Sequence, residues 1–591
     1  MSPVHGKHFI TDSKTLVKDS LHGFVLANPH LALDEKEKVI FTKDLASVRS
    51  NQVTLFCGGG SGHEPAHAGY VGHGMLSASV SGHVFASPSS SQVLSCLRRV
   101  YSEKKGTLVV IKNYTGDVLN FGRAVERFKS EHVNQGKPVP KVAMVIVGDD
   151  VGVVNENDDD EGGVGRRGLA GTVLVYKLAG ACAADGGSLE AVKQVAEYVA
   201  HHTFSIGCAL DAASVPGQGF PRTLQDDEVE VGMGIHNEPG FEKKKLDPAD
   251  ILVQNLVEHI ISSLPFKACK EDKSRVVLFV NNLGATSNLE MGLVTRLAVE
   301  AVKAQGIRIE RVFSGTYMTA LAMSGASLSL LVLPKEESRS QDLLSLIDSP
   351  AYCPGWINHA KVVDAGSTDE SAMGPSQTFT PAKDARWERV IETVYKNVAD
   401  KEPEVTRLDQ IMGDGDCGEV LLSGVSAIHD ASKKSDLPLN DPSSALARMS
   451  AILEGAMGGT SGIIYCLFLD GLAQSLSEVK GVKGSSTLSP KVWGMAMVQA
   501  LDTLYQYTTA RPGHRTLIDA LEPFASSLAK TDDLDEALKA ARAGAEATAQ
   551  MKPKRGRAAY MGGDHQKVQD AGAAGLVAVL EGIVKALSSS S

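Results

Sequence analysis

The first 345 residues are organised around short apolar runs that stop abruptly at Gly, Asn or Asp. Val53-Thr54-Leu55-Phe56, Leu108-Val109-Val110-Ile111, Val142-Ala143-Met144-Val145-Ile146-Val147 and Val276-Val277-Leu278-Phe279-Val280 are all of this kind. They are rich in β-branched residues and alternate with stretches of helical periodicity. That is the pattern of buried strands, each with a loop at its carboxyl end, so this part of the chain reads as α/β. A further run, Leu328 to Leu333, closes its second half. Between Pro350 and Pro381 the pattern is lost. Asp364 to Thr380 is rich in Ser, Thr and Gly and has no apolar period, as in an interdomain linker. After Ala382 the apolar residues recur at helical spacing, and Ala, Leu, Lys and Glu dominate Leu534 to Gln550 and Ala571 to Leu587. This half reads as all-helical, with its apolar stripes as core packing. The sequence shows no internal repeat.

At 591 residues the chain is too long for a single hydrophobic core. A composition of 43% hydrophobic and 22% charged residues is that of a globular protein. The formal net charge of −11 argues against a nucleic-acid binder, which carries a basic face, but not against a nucleotide. Eight cysteines are scattered with no CxxC pair, so neither a zinc site nor a disulfide framework is expected. Reduced thiols fit a cytoplasmic setting. Met1 to Ser20 is polar, unlike a secretory signal, and no apolar run looks long enough to span a bilayer. Ser588 to Ser591 is not a peroxisomal Ser-Lys-Leu address.

Three loops of the α/β part carry chemistry. Gly58-Gly59-Gly60-Ser61-Gly62-His63-Glu64-Pro65 follows a strand and is expected to open a helix. Glycine there lets the backbone approach a small ligand, and the carboxyl end of a strand is where open α/β sheets bind. The loop is neither a Walker A nor a Rossmann fingerprint. Lys112-Asn113-Tyr114-Thr115-Gly116-Asp117 follows the next strand, and Gly232-Met233-Gly234-Ile235-His236-Asn237-Glu238-Pro239-Gly240 is a second glycine-bracketed histidine. Singly, Lys112 and Asp117 fit a surface ion pair and His236 a loop histidine. Three such loops supplying His, Lys, Asp and His in one α/β unit point to a converging site.

The helical half has its own cluster. Asp409, Asp414 and Asp416 fall within Asp409-Gln410-Ile411-Met412-Gly413-Asp414-Gly415-Asp416-Cys417-Gly418. Three carboxylates so close call for a divalent cation. An EF-hand fails, because a loop starting at Asp414 would need Glu where Val425 stands. Magnesium held by a few carboxylates and by substrate phosphates fits better than a polar helix cap. Gly458-Gly459-Thr460-Ser461-Gly462 precedes an apolar run, and Arg511-Pro512-Gly513-His514-Arg515-Thr516 also precedes a helix. Metal carboxylates, a glycine loop at a helix N-terminus and a basic loop together indicate a nucleotide.

These residues, in this order, resemble the dihydroxyacetone kinase family, in its single-chain, ATP-dependent form found in fungi and other eukaryotes. The resemblance covers nearly the whole chain and rests on GGGSGHEPAHAGYVG, IKNYTGD, GRRGLAGT, VGMGIHNEPG, GTYMTAL, MGDGDCG, GGTSG and RTLIDAL. It implies a multidomain protein: an α/β substrate-binding K domain over 1–345, with subdomains of about 1–190 and 191–345, a linker over 346–384, and an all-α helical-barrel L domain over 385–591. It implies that His236 holds dihydroxyacetone as a hemiaminal and that Gly60, Ser61, Gly62, His63, Lys112 and Asp117 line the pocket. Asp117 would be the base, and His63 would polarise the hydroxyl. Asp409, Asp414 and Asp416 would bind two Mg²⁺ ions. Asp414, Gly415, Asp416, Cys417, Gly459, Thr460, Thr516, Leu517, Asp570, Ala571 and Gly572 would surround ATP. Two positions depart from the family's pattern: a late loop usually reading Asp-Pro-Gly is Asp570-Ala571-Gly572, and His514 stands where Asp is usual.

The resemblance further implies activity on glyceraldehyde and a homodimer in which each L domain serves the other subunit's K domain, with no nucleic-acid or membrane partner. Two other activities occur in the family. One is lysis of FAD to cyclic FMN. The other is a split, phosphoenolpyruvate-driven relay with regulator-binding relatives. Both parts lie here in one chain without a relay domain, which favours ATP as donor.

Overall fold

The computed structural model describes residues 8–10, 12–152, 165–216, 224–263, 266–267, 274–358, 379–479, 488–555 and 567–588. The expected linker stretch Asp364 to Thr380 lies outside them apart from its last two residues. The chain divides into two compact units, Met1–Asp364 and Ala365–Ser591. The first mixes helices with β-sheet and the second is helical, as the change of sequence pattern requires.

The first unit opens with α1 (Leu16–Ala27), β1 (Leu31–Asp34), β2 (Val39–Thr42), α2 (Leu45–Asn51), β3 (Thr54–Ser61) and β4 (Ala78–Val84). It continues through α3 (Ser90–Val100), β5 (Thr107–Lys112), α4 (Thr115–Asn134), β6 (Val142–Val147), α5 (Gly171–Ala184) and α6 (Leu189–His202). The second half has β7 (Thr203–Ala209), β8 (Glu228–Val231), β9 (Glu242–Lys245), α7 (Ala249–Ser262), β10 (Arg275–Asn282), α8 (Asn288–Ala304), β11 (Arg308–Gly315), β12 (Gly325–Val332) and α9 (Glu337–Asp348). The strands form two six-stranded sheets, ordered β1-β2-β4-β3-β5-β6 and β11-β10-β12-β7-β8-β9. In the first, β4, β3, β5 and β6 run parallel. In the second, only β10 and β11 do. Helix α5, apolar on every side, packs against both β5 and β7 and is buried along almost its whole length.

Every run expected as a strand is one, but the first glycine cluster behaves differently. Gly58, Gly59, Gly60 and Ser61 belong to β3, and no α-helix opens after them; a single 3-10 turn, Ala68–Tyr70, follows. The reason is close strand packing. A Cβ on Gly58 would lie 2.2 Å from the Val80 carbonyl oxygen of β4. The chain also stays in the first unit past the expected end at 345. Helix α9 runs to Asp348, and Trp356 is buried beside the rings of Phe313 and Tyr317. A single anchoring aromatic has no periodicity to reveal it.

The second unit contains, among the described residues, eight α-helices: α10 (Ala385–Met412), α11 (Cys417–Lys433), α12 (Pro442–Ala456), α13 (Gly459–Glu478), α14 (Pro490–Tyr507), α15 (Ile518–Thr531), α16 (Leu534–Ala547) and α17 (Ala571–Ser588). Asp384, Asp441, Ser489 and Asp533 cap four of them through side-chain oxygens. Each helix packs on the next, and α17 returns to lie along α10. The apolar stripes face inward, where Trp387, Phe468, Trp493, Leu521 and Leu580 border an apolar cavity of about 270 Å³. Helix α17, with a mean hydropathy of 1.6 over 18 residues, is long and apolar enough to cross a membrane, contrary to the sequence expectation. Half of it is buried against its neighbours, which is how a core helix behaves.

Candidate active site

In the first unit, β3 ends on Gly60 and Ser61 and leads into Gly62 and His63, while β5 ends on Lys112. Asp117 stands in the first turn of α4, and His236 in the loop after β8. β3 and β5 are parallel neighbours, so their carboxyl ends open on the same side. His236 joins them directly: its Nε2 lies 2.9 Å from Nε2 of His63. The other nitrogens are committed. His63 Nδ1–H donates to the Thr319 carbonyl at 2.7 Å, and His236 Nδ1–H donates to the Glu238 carboxylate at 2.9 Å. The contact between the two Nε2 atoms therefore needs one proton, held by one ring. Burial, reinforced by Lys112 and His236, keeps His63 well below the usual histidine range, so His63 is the acceptor. Burial opposes charge on Glu238, yet its hydrogen bonds with His236 and that ring's positive charge hold its carboxyl down at about 2.

The rings around His236 form a cage. Tyr114 stands perpendicular to it at 4.7 Å and Phe85 at 5.5 Å. Phe85 has φ 54°, in the left-handed region, and its N–H donates to the Ser61 carbonyl at 2.8 Å. Gly62 (φ 102°) lies against the Phe85 ring, where a Cβ would come within 2.7 Å. Ser61 turns its hydroxyl to the Gly82 carbonyl at 3.2 Å. Lys112 is wholly buried, lies 5.0 Å over the Tyr114 ring, and its Nζ has no hydrogen-bond partner among the described residues. Asp117 is also buried and accepts from the Ser87 hydroxyl at 2.5 Å. Burial pulls Lys112 down and pushes Asp117 up, and their mutual attraction opposes both shifts. An unpaired buried ammonium beside a buried carboxylate suits a small ligand rich in hydroxyls.

Several residues here escaped the sequence reading. Glu238, Tyr114 and Thr319 lie inside quoted motifs without having been assigned a part, and Phe85 has no sequence signal at all. GRRGLAGT also gains a purpose. Arg167 pairs with Asp150 at 2.6 Å and donates to the Gly232 carbonyl at 2.7 Å, which ties down the His236 loop.

In the second unit, Asp409, Asp414 and Asp416 can each bring one oxygen within 4.8 Å of the others. Asp409, near the end of α10, shapes the turn: its Oδ2 accepts the N–H groups of Gly415, Asp416 and Cys417 at 2.9, 3.0 and 3.1 Å. Three carboxylates on one tight turn have the hard-oxygen chemistry that Mg²⁺ takes. Burial, with the neighbouring carboxylates, pushes the Cys417 thiol up to about 12.

Asp570 caps α17, accepting the Ala573 N–H at 3.0 Å, and pairs with Arg515 at 3.5 Å. Burial raises Asp570 to about 6 against that attraction. Ala571 occupies the first helical position, where proline is also suited, so that departure preserves the helix start. Gly572 packs near Leu517, whose side chain is buried. The Thr516 hydroxyl accepts the Ile518 N–H, and His514 Nδ1 accepts the Arg511 N–H at 3.2 Å, so histidine closes its own loop. Gly459 and Thr460 form the exposed N-terminus of α13, where Gly458 provides no side-chain cap.

Residues 22–355 match the Dak1 domain and residues 411–585 the DAK2 domain. The chain is 39% identical to a dihydroxyacetone kinase of Komagataella pastoris over 97% of both chains. It is 36% identical to the triokinase/FMN cyclase of Homo sapiens, again over 97% of both. The dihydroxyacetone kinase from C. freundii, solved in complex with AMP-PNP and Mg²⁺, superposes with a TM-score of 0.65 at 32% identity, over 99% of this chain and all of that one. With both domains present in order and full-length relatives at this identity, the chain belongs to the dihydroxyacetone kinase family.

Proposed function

We propose that the chain transfers the γ-phosphoryl group of ATP to a hydroxyl of dihydroxyacetone, and of glyceraldehyde. The observation that carries this reading is the fixed His63–His236–Glu238 array beside Lys112 and Asp117. Glu238 holds the His236 proton on Nδ1, and Nε2 adds to a ketone carbon as the C=O π bond opens onto the carbonyl oxygen; that oxygen takes the Nε2 proton, relayed through His63, and the Nδ1–H of the substituted ring stays paired with the Glu238 carboxylate. The product is a hemiaminal that fixes the substrate. Glycerol has no carbonyl and cannot form it, so a covalent histidine selects carbonyl substrates. Gly60, Ser61, Gly62 and Lys112 line the pocket, and Asp117 takes the proton of the reacting hydroxyl, worth roughly a hundred- to ten-thousand-fold in rate.

The second unit, read as an eight-helix barrel, holds ATP. Asp409, Asp414 and Asp416 take two Mg²⁺ ions that neutralise the triphosphate. Gly415, Cys417, Gly459, Thr460, Thr516, Leu517, Asp570, Ala571 and Gly572 surround the nucleotide. Phosphoryl transfer depends mainly on such positioning and charge neutralisation. A coupled assay with dihydroxyacetone, glyceraldehyde, glycerol and Mg²⁺-ATP tests the reading; equal turnover of glycerol refutes it.

Donor and acceptor sites lie in separate units and must meet for chemistry to occur. We read the working form as a cytoplasmic homodimer in which each helical unit serves the other subunit. Mixing a His236→Ala chain with an Asp414→Ala chain then restores activity; exchange of subunits without restored activity excludes crossing. The FMN cyclase name of the human relative supports a second activity on FAD, which incubation with FAD and Mn²⁺ reads directly.

A further inference from the structure

His63 and His236 both commit their Nδ1–H groups to oxygen acceptors. The Thr319 carbonyl takes one at 2.7 Å and the Glu238 carboxylate the other at 2.9 Å. A carbonyl and an ionised carboxylate can only accept, so both Nδ1 atoms carry hydrogen and both Nε2 atoms offer lone pairs. Those Nε2 atoms stand 2.9 Å apart, with ring centroids 4.7 Å apart. Two lone pairs this close repel unless a cation lies between them. In the free protein that cation is the shared proton. A metal ion is the other cation that a pair of imidazoles holds.

The groups behind the two rings suit a metal. Histidines that ligate metals almost always donate their other N–H to a carboxylate, a backbone carbonyl or water, which fixes the tautomer and the ring orientation. Here one ring has the carbonyl and the other the carboxylate. Backbone bonds tie each further: the Thr319 N–H donates to the His63 carbonyl at 3.1 Å, and the His236 N–H to Glu238 at 2.9 Å. Zn–N bonds are about 2.0–2.1 Å long, so nitrogens 2.9 Å apart subtend about 90° at an ion. Tetrahedral coordination requires them to part by roughly half an ångström. His63 is fully buried and the His236 side chain is 20% exposed, so His236 is the ring to move and marks the side from which an ion enters. Of the charges facing the pair, Lys112 opposes a cation, and Glu238 and Asp117 favour one. Binding expels the shared proton, so a divalent ion adds one unit of charge, not two.

We propose that His63 and His236 form a two-histidine site for a transition-metal ion of the Zn²⁺ class, with water in the remaining positions, and that an ion there excludes the ketone. Imidazole nitrogen suits such ions, whereas Mg²⁺ takes oxygen, so this site and the acidic turn of the second unit select different metals. The exclusion rests on the reading of His236 Nε2 as the nucleophile, because the ion occupies the lone pair that adds to the carbonyl. The metal site itself rests only on the geometry of the pair.

The test is calorimetric titration of the full-length protein with zinc chloride, in enough Mg²⁺ to fill the acidic turn. Wild type should bind a Zn²⁺ ion that His63→Ala and His236→Ala both lose. Glu238→Gln should bind it about ten- to hundredfold more weakly, because the acceptor behind the ligand has lost its charge. Dihydroxyacetone at about ten times its own Kd should weaken Zn²⁺ binding about tenfold. In the coupled assay, Zn²⁺ should raise KM for dihydroxyacetone and leave kcat unchanged. Zn²⁺ binding unaltered in either histidine variant overturns the site. Should those variants fail to fold, wild type decides: unweakened Zn²⁺ binding by protein whose covalent substrate adduct is visible by intact mass overturns it as well. Absence of that adduct, with Zn²⁺ binding lost in both variants, removes the nucleophile and upholds the metal site.

Discussion

Replacing Glu238 probes the proposed nucleophile at its support, without touching the nucleophile. The Glu238 carboxylate accepts both the Nδ1–H and the backbone N–H of His236, each at 2.9 Å. A hydrogen bond to a charged group contributes about 1.5–3 kcal/mol, which corresponds to a roughly ten- to hundredfold change in rate. Glu238→Gln keeps one acceptor oxygen but loses the charge and turns an N–H toward the His236 backbone. We expect kcat/KM for dihydroxyacetone to fall about tenfold. Glu238→Leu leaves a buried Nδ1–H unpaired and frees the tautomer, so the loss should approach about a hundredfold.

The same carboxyl gives a stability signature. Its folded pKa of about 2 lies below the ordinary 4.5, so its contribution is complete above 4.5 and is lost as the pH falls toward 2. That shift alone corresponds to roughly 3 kcal/mol, which solvent around the partly exposed side chain reduces to about 1–2 kcal/mol. A steady-state assay gives the kinetic effect, and denaturant titrations at pH 7 and pH 3 give the second. Equal kcat/KM in wild type, Gln and Leu variants would refute the view that Glu238 sets the protonation of His236. A wild-type advantage over Gln that stays constant down to pH 2 would refute the depressed carboxyl.

Three further outcomes are expected. Asp117→Asn should lower kcat by about a hundred- to ten-thousand-fold while changing KM for dihydroxyacetone little, because a base acts on the transition state more than on bound substrate; an unchanged kcat excludes it. Asp414→Ala and Asp416→Ala should each lose calorimetric Mg²⁺-ATP binding and retain the covalent substrate adduct by intact mass; normal Mg²⁺-ATP affinity in either variant removes that ligand. Gly58→Ala should destabilise the first unit by about 1–3 kcal/mol, because its methyl group meets backbone that can yield only by moving a central strand; an unchanged denaturation midpoint refutes the close packing of β3 on β4.

The sequence alone determined the two-part organisation, the strands and the acidic turn. Strand runs such as Leu108 to Ile111 are legible because their apolar, β-branched pattern is local, and the turn because Asp409, Asp414 and Asp416 lie within one short segment. It also offered His63, Lys112, Asp117 and His236 as candidates, because each sits beside glycine or at the end of an apolar run. Tertiary structure decided the rest. That His63 and His236 meet through their Nε2 atoms, 173 residues apart, depends on how two sheets enclose α5. Phe85 reaches the site because the neighbouring Ser61 carbonyl holds its backbone in a left-handed turn, which no neighbour in sequence signals. Glycines read as a loop proved to be strand, because the clash that requires them comes from the carbonyl of Val80 on β4. Local pattern can specify an element and its chemistry, but the partner that completes a buried hydrogen bond is chosen only when distant segments pack.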